Sequence, residues 1–341
     1  MRAVVLPGER TVRLLDLPDP HPGPGEVVIE MRASGLCGSD FGSYRGPERT
    51  PKGGLKVAGH EPCGVIAELG TGVSNVKPGD RVMMHHYSGC GSCTHCRRGY
   101  TQMCVQHHKT YGFSEHGGHA DYLLAPAGAC IPLLDALSFE EGAACACGTG
   151  TAFQALKRLD LTAMDTLGVF GQGPVGLSAT LFAASMGVRV LAVDVVAEKL
   201  ALARELGAAQ TVNAAESDPV QALRELTGGE GPDATLDATG IPAVRIQAVD
   251  SARPWGHVCL VGEGNTTTFD ISRQIIHRQL RISGSWTFST HGLAEVAEFV
   301  AIRGVPLKKL ITHRFKLEEA AEAYRVFDEG KTGKVVIGWG D

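Results

Sequence analysis

The sequence predicts an α/β protein of two folding units, an irregular and mostly antiparallel β domain together with a doubly wound parallel sheet. Three observations lead there. At 341 residues the chain exceeds the roughly 250–300 residues at which a single hydrophobic core stops growing. Up to about residue 147 it is broken every few residues by Gly and Pro, as in Pro18 to Gly25 and Lys77-Pro78-Gly79-Asp80. From about residue 148 helical patterns alternate with short apolar runs, which implies parallel strands joined by crossover helices.

Between the breaks of the first region lie β-branched runs, Glu26 to Glu30, Gly64 to Ala67 and Asp80 to Val82, each long enough for a short strand. In the second region the strand-like runs are Thr166 to Phe170, Val188 to Val193, Ala234 to Asp237, His257 to Val261 and Leu280 to Ile282. The tail from about residue 287 carries a helical pattern, Leu317 to Phe327, and a last strand-like run, Gly333 to Gly338. By pattern alone that strand completes either domain.

Composition narrows the function classes. Thirty-two Lys+Arg against 37 Asp+Glu give a net charge of −5, so there is no basic field for phosphate backbones, and neither a nucleic-acid nor an anionic-membrane partner is expected. The first residues lack the long apolar stretch of a signal peptide, and no run of about 18 apolar residues occurs. A cytoplasmic protein is expected. Ten cysteines in a long chain of that kind point to metal or redox chemistry rather than to a disulfide framework.

Four of them, Cys90, Cys93, Cys96 and Cys104, form C-x2-C-x2-C-x7-C in a polar, glycine-containing segment. Four thiolates gathered by short loops close the tetrahedral shell of a zinc ion, which makes a structural site. An iron–sulfur cluster is the rival reading, and the fourth spacing and the absence of Cys-Pro speak against it. A second, scattered set comprises Cys37 in Gly35-Leu36-Cys37-Gly38-Ser39-Asp40 and His60-Glu61 in Ala58-Gly59-His60-Glu61-Pro62. A lone buried Cys is usually a small hydrophobe and a lone His a satisfied polar residue; together they offer a thiolate, an imidazole and a carboxylate. Cys145 or Cys147, where the two regions meet, supplies a further thiolate. Two thiolates and an imidazole leave one tetrahedral position open for substrate.

Strand-like Thr166 to Phe170 runs into Gly171-Gln172-Gly173-Pro174-Val175-Gly176 and then into a helical stretch to Met186. This G-x-G-x-x-G has the strand before it and the helix after it that a dinucleotide-binding turn requires. Gly171 permits the tight turn, Gly173 lets a pyrophosphate approach the helix N-terminus, and Gly176 lets helix and strand pack closely. Asp194 ends the next strand, 18 residues past Gly176. There a carboxylate accepts hydrogen bonds from ribose hydroxyls and repels a 2′-phosphate, and Val195-Val196 follow instead of an Arg, so NAD is expected rather than NADP. Lys199 is placed to reach the same ribose.

Cys37-Gly-Ser-Asp40, Gly59-His-Glu61, the four-cysteine lobe and the GQGPVG turn, in this order, resemble the zinc-containing medium-chain dehydrogenase/reductase family over essentially the whole chain. The resemblance implies a GroES-like catalytic domain of residues 1–147 and 287–341, with the zinc lobe at about 88–105. It implies a Rossmann NAD-binding domain of 148–286, with substrate and nicotinamide between the two. It makes Cys37, His60 and Cys147 ligands of a catalytic zinc, with Glu61 an alternate ligand, and Ser39 the hydroxyl that binds the substrate oxygen and passes its proton outward. It puts Gly171, Gly173, Pro174, Val175 and Gly176 at the pyrophosphate, Asp194 and Lys199 at the ribose, Val261, Gly262, Glu263, Ser285 and Trp286 beside the nicotinamide, and Lys334 near the pyrophosphate. Gly38 and Gly42 depart from the pattern: some members carry an Arg at the first, and many carry the terminal His of the proton relay at the second.

The expected function is therefore zinc-dependent hydride transfer between an alcohol and NAD, with a secondary alcohol, diol or polyol favoured by resemblance to bacterial polyol, butanediol and threonine dehydrogenases. Two zinc ions per chain are expected, and members of this length imply a homo-oligomer, a tetramer rather than a dimer. Phe41, Tyr44, His86, His119 and Trp286 are candidates for the pocket lining. The alternatives are a zinc-free quinone or enoyl reductase on the same scaffold and a non-enzymatic zinc–thiolate redox sensor.

Overall fold

A computed structural model describes residues 1–48 and 54–340. It divides into two compact units, Met1–Gly150 with Phe288–Asp341, and Thr151–Thr287. The boundaries fall three residues and one residue beyond those expected.

The first unit is built on a seven-stranded sheet whose long central strand, Glu26–Gly35, pairs antiparallel with Glu61–Leu69, with Tyr122–Pro126 and with the C-terminal strand Lys334–Gly338. Its register sets Gly35 opposite both Glu61 and Val336, so the ends of three strands remote in sequence meet at one point. Arg81–Met84 and Cys130–Pro132 extend the sheet on one side, and Ile311–Lys316 runs parallel to the last strand on the other. The tail thus completes the β unit. Its helix Ala320–Asp328 turns Ala323, Tyr324 and Phe327 onto Leu36, Tyr44, Val335 and Ile337, an apolar stripe at helical spacing covering one sheet face.

The second unit is a six-stranded sheet, parallel throughout, whose central strand Thr166–Phe170 lies between Arg189–Asp194 and Ala234–Asp237. His257–Leu260 and Arg281–Gly284 continue one side. Gln210–Asn213 closes the other, a strand the sequence pattern does not announce. The three inner strands are buried almost throughout, as parallel strands covered on both faces must be. Among the described residues, no helix is long and apolar enough to cross a membrane.

Candidate active site

Cys37 follows the central strand of the first unit and opens the 3-10 turn Gly38–Asp40. His60 immediately precedes the strand Glu61–Leu69. Cys147 sits in a π-helical turn, Cys145–Thr149, between helices Phe139–Ala144 and Gly150–Leu159; such widened turns recur at functional sites. One donor atom each from Cys37, His60, Glu61 and Cys147 lie within 4.8 Å of one another, all four residues buried. The Cys37 and Cys147 sulfurs are 3.9 Å apart, close to the roughly 3.8 Å edge of a tetrahedron with Zn–S arms of about 2.3 Å. The donor set fits a zinc ion. Of the two cysteines left open by sequence, Cys147 joins this group and Cys145 does not.

The turn that presents Cys37 also orients His60. Asp40, itself buried, accepts the Cys37 amide on Oδ2 at 2.9 Å and faces His60 Nδ1 with Oδ1 at 3.0 Å. A carboxylate only accepts, so Nδ1 carries the proton and Nε2 presents its lone pair, the usual outer-shell device for a metal-binding histidine. Ser39 Oγ lies 3.1 Å from that Nε2, placing its hydroxyl beside the donor group. Burial works against charge on His60, but Asp40, and after it Cys37, more than reverse this and raise its affinity for a proton. The Cys147 thiol, donating to Cys37, holds the Cys37 thiol well below its ordinary range against burial, with His60 helping.

The cysteine lobe is a second, separate group. Cys90, Cys93, Cys96 and Cys104 bring their sulfurs within 4.8 Å of one another, and Cys90 and Cys96 are 4.0 Å apart. Backbone N–H groups of Cys90, Cys93 and Cys96 donate to the sulfurs of Cys104, Cys90 and Cys93 at 3.4, 3.3 and 3.5 Å. Those donors stabilise thiolates. The Ser92 hydroxyl, then the Cys93 amide, pull Cys90 down to about 5, while burial pushes Cys96 up to about 12. With no position left for substrate, the set fits a closed structural zinc.

In the second unit the central strand Thr166–Phe170 is followed by Gly171, whose φ of +86° suits glycine, and the helix Pro174–Ser185 starts behind Gly173. A side chain on Gly173 would meet nothing within 4 Å. This leaves the helix N-terminus open to an anion. Asp194 accepts the Gln172 amide on Oδ2 at 2.5 Å and those of Val195 and Val196 on Oδ1 at 2.8 and 3.0 Å, so its carboxylate is fixed at the edge of that turn. Val175 and Gly176 lie in the helix's first turn, and half-buried Lys199 in the first turn of the helix after Asp194. The geometry fits a dinucleotide.

Comparison with known proteins then settles the family. Residues 23–135 match the alcohol dehydrogenase GroES-like domain and residues 174–301 the zinc-binding dehydrogenase domain. The uncharacterized zinc-type alcohol dehydrogenase-like protein YphC of Escherichia coli K12 is 40% identical over 351 aligned positions, covering 100% of this chain and 99% of YphC. This chain belongs to the zinc-type medium-chain dehydrogenase/reductase family. An L-threonine 3-dehydrogenase of Shewanella baltica OS155 is 30% identical with 98% of each chain covered. Among solved structures, the alcohol dehydrogenase TADH of Thermus sp. ATN1 superposes with a TM-score of 0.91 at 30% identity, and the alcohol dehydrogenase rspB of E. coli CFT073, complexed with NADH, with 0.90 at 26%; each covers 99% of both chains. As a member of that family, the chain is an oxidoreductase with a GroES-like unit and a Rossmann-like unit.

Several expected dehydrogenase residues take other places. Lys334, expected at the pyrophosphate, is wholly buried in the GroES-like unit, its ammonium donating to Glu61 Oε1 and Oε2 at 2.7 and 2.6 Å and to the Leu36 carbonyl at 3.0 Å. All three N–H donors are engaged there. Glu61 stays within reach of the metal group, but both its oxygens face Lys334; burial raises its carboxyl against the pull of that ammonium. Gly35 makes the pair possible, because any side chain there would collide with Glu61 Oε2. Tyr44 packs on Tyr324 inside the core, and half-buried Phe41 stacks on Phe327 at the edge of the same cluster. His119 is buried with Nδ1 on Ser34 Oγ at 2.8 Å, likewise packed inside.

In the Rossmann-like unit, Val261 and Gly262 donate their amides to the Asp237 carbonyl, and the Ser285 amide bonds the Leu260 carbonyl. Glu263 and Trp286 are exposed. Two residues given no role from the sequence organise this region. Asp237 accepts from the Thr239 amide and hydroxyl and the Gly240 amide, and Arg245 donates to the carbonyls of Gly262, Gly264 and Asn265. An Asp closing an apolar strand before Thr-Gly is the signal for the first; Arg245 has none.

Proposed function

We propose that this family member is a zinc-dependent alcohol dehydrogenase that transfers hydride reversibly between an alcohol and NAD, with one catalytic and one structural zinc per chain. The observation that carries the reading is the buried Cys37–His60–Cys147 group with the Ser39 hydroxyl at its edge. Those three residues would hold the metal, and zinc there supplies a Lewis acid that polarises a carbinol and makes its proton acidic. Asp40 keeps the His60 lone pair aimed at the group. Ser39, exposed on its turn, accepts the carbinol proton and releases its own toward water, a route that needs no imidazole at Gly42. Gly171, Gly173 and the helix N-terminus would take the pyrophosphate. Asp194, followed by Val195 rather than a cation, favours NAD over NADP.

A secondary alcohol, diol or polyol is the favoured substrate class, and the family resemblance supports a cytoplasmic homo-oligomer, a tetramer over a dimer. Metal-replete purification should yield two zinc ions per chain, in line with the two donor groups. A panel of alcohols, diols, sugar alcohols and amino alcohols should generate reduced cofactor with NAD in preference to NADP. Trace zinc alone would remove the mechanism and leave the quinone or enoyl reductase reading, whereas zinc without alcohol-dependent NADH would favour the redox sensor. Equal use of both cofactors would refute the role of Asp194.

Ser39→Ala should lower turnover by roughly 10²-fold or more, the usual scale for a positioned proton-transfer group, with zinc content and NAD affinity unchanged. Wild-type rates in single-turnover assays of that variant would show that the proton leaves by another route.

A further inference from the structure

In an open parallel sheet a ligand binds outside the carboxyl ends of the strands, at the point where the order of strands reverses. Here the chain adds Arg189–Asp194 and Gln210–Asn213 on one side of the central strand, then returns to add Ala234–Asp237 and His257–Leu260 on the other. The turns that follow the strands on this second side are packed one against the next. A side chain at Gly171 would collide with Thr239, one at Gly240 with the Glu263 carbonyl, and one at Gly262 with the Gly240 amide. The Asn265 side-chain amide also donates to the Gly240 carbonyl at 3.1 Å. The outermost turn is nonetheless exposed from Glu263 to Thr266, and its Gly264 and Asn265 have φ of +80° and +60°.

One guanidinium holds that turn. Arg245, on the helix Pro242–Ser251 and with its side chain 11% exposed, donates through Nη2 to the Gly262 and Gly264 carbonyls at 2.6 and 2.8 Å. Through Nη1 it donates to the Asn265 carbonyl and the Thr267 hydroxyl, both at 3.2 Å, while its Nε lies 3.6 Å from the wholly buried Asp237 carboxylate. All the Nη hydrogens of the fork are thus spent on one short loop. Asp194 stands on the first side of the central strand, so a dinucleotide whose adenosine ribose lies at Asp194 carries its nicotinamide half to the second side. We infer that Arg245 is a positioning residue for that half: it keeps 262–267 ordered before the cofactor arrives, so that binding need not order the loop itself. The inference rests on the NAD reading above.

The test measures binding of NADH, and of 5′-AMP, which lacks the nicotinamide half, to zinc-replete wild type, Arg245→Leu, Arg245→Lys and Asn265→Gly. Arg245→Leu should weaken NADH by roughly 3–30-fold, the range for a residue that acts on a site through its neighbours, and should change the fluorescence of bound NADH, while 5′-AMP binds as to wild type. Lysine presents its donors at one point and cannot span four acceptors, so Arg245→Lys should restore only part of the loss. Asn265→Gly keeps the positive φ and removes only the tie to Gly240; it should weaken NADH alone, by less, and it serves where Arg245→Leu does not fold. Without cofactor, amide exchange at 262–267 should quicken in Arg245→Leu and stay unchanged in the strand His257–Leu260. Equal weakening of NADH and 5′-AMP overturns the inference and leaves the NAD reading standing. So does wild-type NADH affinity in Arg245→Leu or, where that variant does not fold, in Asn265→Gly. If wild type does not bind NADH, the NAD reading falls and this one with it.

Discussion

Lys334→Met is expected to lower the folding stability of the zinc-replete protein by about 3–5 kcal/mol, the cost of leaving a buried charge without its partner. Lys334 and Glu61 are both wholly buried and bond through both carboxylate oxygens. Burial opposes the Lys334 charge, and Glu61 and then Cys37 more than offset it, so the ammonium is held in its charged form. Methionine fills similar volume, so a loss of this size reports the charge and not a cavity. Without Lys334, Glu61 escapes part of the cost by taking up a proton, since burial already raises its carboxyl. The folded state of the variant then binds that proton more tightly than the unfolded chain, where a glutamate titrates near ~4.3. The relief is complete below that pH and disappears as pH rises toward the folded value. The gap between wild type and variant should therefore widen with pH. Denaturant midpoints at three pH values check this, and adding Glu61→Gln to the variant should recover much of the loss. A gap below about 1 kcal/mol at neutral pH would mean that the pair does not hold the strand ends together.

What the sequence disclosed and what it withheld divide along separation in the chain. The dinucleotide turn was legible because strand, glycines, helix and Asp194 lie within one short stretch, where spacing fixes geometry. The cysteine lobe was legible for the same reason. Gln210–Asn213 escaped because Val212 alone among its residues is buried, so an edge strand with polar neighbours shows neither alternation nor an apolar run. Asp40 stood in view beside Cys37, yet its role depends on His60 being brought to its second oxygen. Lys334 and Glu61 are 273 residues apart, and the register that sets Gly35 against both Glu61 and Val336 is what makes them neighbours. Family resemblance did not announce Glu61 as the partner of that lysine, because position in a motif does not say which way a long side chain runs. The choice between Cys145 and Cys147 likewise waited on the π-helical turn, since residues two apart on a helix face different ways.

That choice leads to the largest expected effect on activity. Cys37→Ala and Cys147→Ala should each remove one of two zinc ions and lower alcohol-dependent NADH production by roughly 10³-fold or more. A Lewis acid contributes several kcal/mol to stabilising the developing charge, and each ~1.4 kcal/mol is a factor of ten in rate. Cys145→Ala, two residues from Cys147 and also buried, should keep both ions and most of the turnover, because its sulfur lies outside the donor group. Its cost should be confined to stability, on the scale of a small core truncation. The lobe supplies an internal control: in all three variants Cys90, Cys93, Cys96 and Cys104 are untouched, so one zinc per chain should resist removal by a chelator. Metal analysis beside turnover separates the possible outcomes. Loss of a zinc ion and of activity in Cys145→Ala, with both retained in Cys147→Ala, would move the third ligand to Cys145. Full activity in Cys37→Ala would show that hydride transfer here does not depend on this metal at all.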